Sequence, residues 1–219
     1  MSAKKAAKKP SRRTPKKTEA IEIVKGHLKI RPGKPAPVLS KKTVYSGPLF
    51  HVDQERINEP RCPNVVRDIV RHGGSVVILA IDDSKKRDPR VILERQYRHA
   101  AGKCLYEVPA GKIDPNENRL VAAKRELAEE TGFRAKNWTP LARYYASPGF
   151  LAEWMQIFLA EGLTPGDTSP DEDERIDLFF VPFSELLRLI DTGQIHDAKT
   201  IIAATLYARI RDGKARKHK

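Results

Sequence analysis

Cysteine is scarce in this chain. Among 219 residues only Cys62 and Cys104 carry thiols, and they lie far apart in sequence. Two such residues make neither a disulfide framework nor a zinc pattern, which points to a reducing compartment and a cytoplasmic protein. Long apolar runs are missing as well. The longest, Val76–Ile81, falls far short of the roughly 20 residues that a membrane-spanning helix needs. No acid precedes Glu19, and no apolar stretch accompanies the basic residues there, so no secretory signal is expected. The lack of acids before Glu19 fits an organellar transit peptide, but Arg12 and Arg13 are the only arginines in that segment and lack an apolar face, which argues against one.

What is abundant is positive charge, +13 overall, and it is confined to the ends. Residues 1–20 hold eight Lys or Arg against Glu19, and residues 209–219 hold six against Asp212. The remainder has 27 basic and 26 acidic side chains, so the body is nearly neutral. The first 20 residues are low in complexity, with almost nothing to bury, and the sequence predicts a disordered tail. Such tails contact nucleic acid weakly through phosphate or simply stay solvated; no interleaved aromatic is present for base stacking.

The body divides at 31–38 (RPGKPAPV), which reads as a Pro-rich linker. This gives a basic tail and linker over 1–40, a β region over 41–72, a main domain over 73–208, and a basic tail over 209–219. Strands are predicted at Thr43–Tyr45, Leu49–Val52, Val65–Val70, Ser75–Ile81, Arg90–Glu94, Leu141–Ala146, Trp154–Ala160 and Ile176–Val181. Gly73-Gly74 marks a turn, and 82–89 a charged loop. The strongest helix is 118–131 (NRLVAAKRELAEET), ended by Gly132. Two more are predicted, Ser184–Asp191 and Ala198–Ile210, capped by Ser184 and Asp197. Mixed strands with a few helices make an α+β fold, an α/β/α sandwich with a mixed central sheet, preceded by a small β-hairpin region.

On the 118–131 helix, Glu126, Glu129 and Glu130 share one face at i, i+3 and i+4. Three like charges within a turn repel unless a cation neutralises them. Hard carboxylate oxygens with no Cys or His nearby suit Mg²⁺, with Mn²⁺ as the alternative. Taken alone, the same spacing also fits an ordinary solvated face.

The surroundings decide between these. From Gly111 the chain reads GKIDPNENRLVAAKRELAEETGF: Gly111, five residues, Glu117, seven residues, Arg125-Glu126-Leu127, one residue, Glu129-Glu130, one residue, Gly132-Phe133. This resembles the Nudix box at every fixed position. Phe133 stands where an aliphatic residue is usual, a difference that bears on packing. The resemblance implies an enzyme that holds divalent metal against the diphosphate bridge of a nucleoside diphosphate linked to another group. By this match Glu126 and Glu130 are the main metal ligands, Glu129 assists, and the Ala110 carbonyl is a further ligand. Glu117 and Arg125 pair to hold the loop against the helix, with Gly111 and Gly132 as structural members of the box.

Further phrases, over roughly residues 42–207, resemble the ADP-ribose pyrophosphatase branch of that family. They are Arg95-Gln96-Tyr97-Arg98, Glu107-Val108-Pro109-Ala110-Gly111, and Ser147-Pro148-Gly149-Phe150, whose proline lies fifteen residues beyond Phe133. Glu172-Asp173-Glu174 resembles the loop that supplies the water-activating base, with Glu174 first choice and Glu172 second. Arg98 and Arg67 match positions that meet phosphate or nucleotide, which suits the bidentate fork of arginine. Phe50 or Tyr45 stands near the adenine-stacking position, though Pro48 and Leu49 depart from the usual aromatic pair. Glu153 is matched to the ribose. The branch implies a homodimer in which residues 42–58 help build the partner's site.

The expectation is therefore Mg²⁺-dependent hydrolysis of ADP-ribose to AMP and ribose 5-phosphate. Because the box reads the diphosphate and not the sugar, GDP-mannose or another sugar nucleotide is the alternative substrate. A non-catalytic ligand sensor tethered to nucleic acid is the rival from another class; such modules tend to lose box carboxylates, and this chain keeps them.

Overall fold

Strand Ser75–Asp82 (SVVILAID) is buried on both faces over Ser75–Ile81. A run so continuously apolar can only be a central strand covered on both sides. Its alternation sorts the molecule into layers. Val77, Leu79 and Ile81 face one core with Leu186, Ala203, Ala204 and Tyr207. Val76, Ile78 and Ala80 face the other with Ala122, Ala123 and Leu127. The sheet is thus sandwiched between helices, as the sequence implied.

A computed structural model describes residues 23–24, 27–28, 33–60, 62–166 and 176–217. In chain order the strands begin with a short pair, β1 (Ile23–Val24) and β2 (His27–Leu28). Next come β3 (Val38–Ser46), β4 (His51–Glu59) and β5 (Cys62–Arg71), an antiparallel sheet in the order β3-β4-β5. The central sheet holds β6 (Ser75–Asp82), β7 (Arg90–Arg98), β8 (Lys103–Glu107), β9 (Ala110–Lys112), β10 (Phe133–Tyr145), β11 (Trp154–Pro165) and β12 (Asp177–Pro182). Its order is β10-β11-β6-β7-β12, with β8 on β7 and β9 on β6. Only β11 and β6 run parallel among these pairs, so the sheet is mixed. β6 forks: Ile81 and Asp82 pair with β7, while Ser75–Val77 pair with Lys112–Ala110 of β9. That fork opens the sheet where the acidic helix docks.

The helices are α1 (Arg119–Thr131), α2 (Phe183–Asp191) and α3 (Ala198–Lys217). Asn118 caps α1 by accepting the Leu120 N–H at 2.9 Å, and Gly132 ends it in the left-handed region at φ 70°. Asp197 caps α3, its carboxylate accepting the Thr200 N–H at 2.9 Å. Ser184 does not cap α2. The helix already starts at Phe183, and Ser184 donates its N–H and hydroxyl to Asp88, at 3.0 and 2.7 Å. A carboxylate from the loop between β6 and β7 thus replaces the local cap, a partner that sequence spacing does not reveal. α3 continues through Lys217, beyond the predicted Ile210, so most of the C-terminal basic run is helical. Among the described residues no helix is long and apolar enough to cross a membrane.

The three-stranded sheet attaches through its β5 edge. The Val70 N–H donates to the Phe150 carbonyl at 2.8 Å, and the Ala152 N–H to the Val70 carbonyl at 2.9 Å.

Candidate active site around the acidic helix

Gly111 shows how tightly the loop meets the helix. A Cβ added there would lie 1.9 Å from Cδ of Glu126. Only glycine lets that carboxylate lie against the backbone. Glu126 and Glu130 are 9% and 7% exposed, which is deep for carboxylates. Glu130 accepts the Ala110 N–H at 3.1 Å. Glu129, on the outer side, is partly open.

Arg125 organises this face. Nε and Nη2 donate to the two oxygens of Glu117 at 3.1 and 3.0 Å, and Nη2 also donates to the Lys112 carbonyl at 3.0 Å. Nη1 bridges Glu126 at 2.8 Å and Glu129 at 2.9 Å. The pairing with Glu117 raises the Arg125 pKa above its ordinary value, and the same bond holds the Glu117 carboxyl below its own. Glu117 also accepts the Asp114 N–H, closing the loop on itself.

The stretch Val108-Pro109-Ala110 is tied to three elements. Val108 N–H donates to Thr200 Oγ1 on α3 at 2.8 Å, the Pro109 carbonyl accepts from Ile78 N–H on β6 at 2.8 Å, and Ala110 N–H reaches Glu130 on α1. Such bracing fixes where the Ala110 carbonyl points. Among the described residues no three His, Cys, Asp or Glu side chains close into a cation cage. The donor set nevertheless fits a hard divalent ion: carboxylate and carbonyl oxygens only, with the Glu126 carboxylate seated where a Cβ has been omitted and a guanidinium already bridging two of the three acids.

The other predicted residues make contacts of their own. Arg98 is held by Glu107 through two hydrogen bonds, at 3.0 and 2.9 Å, and that contact raises its pKa. Burial opposes the charge on Glu107, but Arg98 and Lys199 together hold its carboxyl below the ordinary range. Arg67 pairs with Glu59 at 2.8 and 3.0 Å, and both line a cleft of about 350 Å³ with Tyr145 and Pro148–Ala152. Phe50 stacks near Tyr45, ring centroids 5.4 Å apart, and lines a second groove with His72, Gly73 and Lys112. Glu153 accepts the Ser75 hydroxyl at 2.7 Å, with His72 Nδ1 at 3.6 Å. The structure thus brings Glu126, Glu129, Glu130, Glu117, Arg125, Gly111 and Ala110 together, while Arg67 and Phe50 line separate grooves and Glu153 is tied to Ser75 at the start of β6. Glu172 and Glu174 lie outside the described residues.

Sequence reading missed Lys112, Trp154 and Lys199. Lys112 contributes its carbonyl, and a backbone role leaves no trace in residue type. Trp154 packs on Gly74, whose φ of 97° and 2.5 Å approach to the Trp154 ring exclude a side chain; Trp154 also lines a groove with Glu117 and Arg119. The Gly73-Gly74 turn was the available signal. Lys199 gave none: a lysine on a first helical turn reads as solvated.

Comparison with known proteins yields a consistent picture. The family profile described as NUDIX domain matches residues 71–203. The chain is 35% identical over 167 residues to a Bacillus subtilis (strain 168) protein named ADP-ribose pyrophosphatase, covering 75% of this chain and 88% of that one. It is 33% identical over 183 residues to a Bacillus methanolicus protein named methanol dehydrogenase activator, covering 83% and 95%. A solved structure titled as an ADP compounds hydrolase superposes with a TM-score of 0.71 at 25% identity, over 85% of this chain and all of that one.

Proposed function

The chain belongs to the NUDIX family, and on that premise we propose that it hydrolyses the diphosphate bond of ADP-ribose, giving AMP and ribose 5-phosphate, or that of a related nucleoside diphosphate sugar such as GDP-mannose. The observation that carries this reading is the Glu126 carboxylate lying on Gly111 beside Glu130 and Ala110. An ADP moiety is supported by the names of two of the similar proteins above.

Members of this family work with a divalent metal, and Mg²⁺ is the ion proposed here, with Mn²⁺ as the substitute. Glu126, Glu130 and the Ala110 carbonyl would hold it, Glu129 assisting. Bound there, the ion draws charge from the phosphoryl oxygens. Arg98 and Arg67 meet phosphate or the nucleotide, Phe50 or Tyr45 stacks on the base, and Glu153 meets the ribose. Glu174, or failing it Glu172, takes a proton from the attacking water. As oxygen bonds to phosphorus, the bond from that phosphorus to the bridging oxygen breaks. Arg125 and Glu117 hold the loop so that Glu126 keeps its place.

The test is a panel of ADP-ribose, GDP-mannose, ADP-glucose, NADH and dATP with Mg²⁺. Preferential cleavage of ADP-ribose to AMP supports the reading. Cleavage of none under Mg²⁺ or Mn²⁺ contradicts it and leaves the tethered sensor as the account.

The proposal extends to a homodimer with residues 41–72 at the interface and residues 73–208 as the catalytic domain. Nine exposed residues along β3, and the exposed Leu49 at the hairpin tip, support it. A cytoplasmic location is supported by the two free thiols. Weak contact of the basic ends with nucleic acid is supported by their charge, and salt-dependent retention on DNA, lost on deleting residues 1–20, is its test.

A further inference from the structure

Lys199 stands on the first turn of α3 yet is only 8% exposed. A lysine buried that deeply needs partners. Its Nζ meets Glu107, and Asp197 at 3.0 Å. Glu107, 2% exposed, is shared: its two oxygens also accept Nε and Nη2 of Arg98. Arg98 in turn keeps 40% of its side chain open, and the charge of Glu130 acts on it. A continuous chain of ionic contacts therefore runs from the start of α3, through Glu107, to a half-open guanidinium within the field of the acidic helix.

We infer that Lys199 is a positioning residue, which with Glu107 fixes the Arg98 guanidinium so that its open edge meets a phosphate oxygen of the substrate. The inference rests on the reading of Arg98 as a phosphate contact. The guanidinium is planar and rigid, so a carboxylate gripping Nε and Nη2 determines where Nη1 points. The carboxylate must itself be fixed, and Arg98 alone leaves it one partner about which to turn. Lys199 supplies the second, anchored by Asp197, whose other oxygen caps the helix through Thr200. The orientation of Arg98 is thereby tied to α3 and not only to its own strand. A simple staple between α3 and β8 would need the same contacts, but it would affect stability without affecting ligand affinity.

The experiment measures, by calorimetry on the full chain with Mg²⁺, the Kd of an ADP-ribose analogue whose bridging oxygen is replaced by methylene. Binding is read without turnover. Lys199→Gln and Arg98→Gln are each expected to weaken binding about tenfold or more, the scale of a charge-assisted hydrogen bond. The double variant should bind within about twofold of Arg98→Gln, because both changes remove one interaction. Wild-type affinity in Lys199→Gln, or losses that multiply in the double variant, would overturn the inference. If Lys199→Gln does not fold, Glu107→Gln enters the same cycle with the same expectations. Wild-type affinity in Arg98→Gln removes the phosphate assignment and this inference with it. Weakening in Arg98→Gln but not in Lys199→Gln removes this inference alone.

Discussion

Gly111 and Arg125 do the least visible work at the site. Gly111 contributes only the absence of a side chain, and Arg125 binds three carboxylates that would otherwise repel one another. Replacing Gly111 by Ala forces Glu126 off its seat. With reacting groups displaced by roughly 1 Å, activity should fall about 100-fold while the melting temperature changes little; an active Gly111→Ala would show that the close approach is unimportant. At this scale the sequence was informative where spacing encodes chemistry. Glu126, Glu129, Glu130, Glu117 and Arg125 were legible from their intervals, since a helix converts i, i+3, i+4 into one face. Lys199 and Glu107 were not, because their meeting joins positions 92 apart. Lys112 acts through its carbonyl, which every residue has.

Among the elements, α1 was the most readable: its start, its Gly132 stop and its buried Ala122, Ala123 and Leu127 all follow from helical periodicity. The eight predicted strands were located, but β8, β9 and the short pair β1 and β2 went unread, and several ends were underestimated. β3 begins at Val38 rather than Thr43, and β10 at Phe133 rather than Leu141, because pairing partners carry a strand past the apolar stretch that marks it. The three-stranded sheet holds a charge cluster that also went unread. Asp53 on β4, fully buried, accepts from Lys41 at 2.7 Å, Thr43 at 2.8 Å and Arg71 at 3.2 Å. The Lys41 bond is the largest cause, outweighing burial, and Thr43 and Arg71 add to it; together they bring the Asp53 pKa down to about 2. A carboxyl depressed in the fold stabilises it above the unfolded value of about 3.9, and that stabilisation fades as pH falls toward 2. The melting-temperature gap between wild type and Asp53→Asn should therefore be full at pH 5 and shrink steadily to pH 2. A gap that stays constant over this range would mean that Asp53 charge does not stabilise the sheet.

For the whole molecule, the charge distribution separates the basic ends from a nearly neutral body, and layer order follows from the alternating burial of β6. Val44, Tyr45 and Leu49 are about half exposed on or beside the N-terminal strands. In the proposed homodimer these groups would be covered by a second copy. Light scattering should give about twice 24.7 kDa, and Val44→Asp with Leu49→Asp should return the monomer mass. A wild-type monomer at micromolar concentration would contradict the shared site.

The central claim is that the carboxylates braced at Gly111 and Ala110 drive hydrolysis of a nucleoside diphosphate sugar. Its most direct test is AMP release from ADP-ribose with Mg²⁺, followed by chromatography for wild type and Glu130→Gln side by side. The expected result is stoichiometric AMP and ribose 5-phosphate from wild type, abolished by chelating the metal, and a rate at least about 100-fold lower in a folded Glu130→Gln. Equal rates in the two proteins would contradict the account.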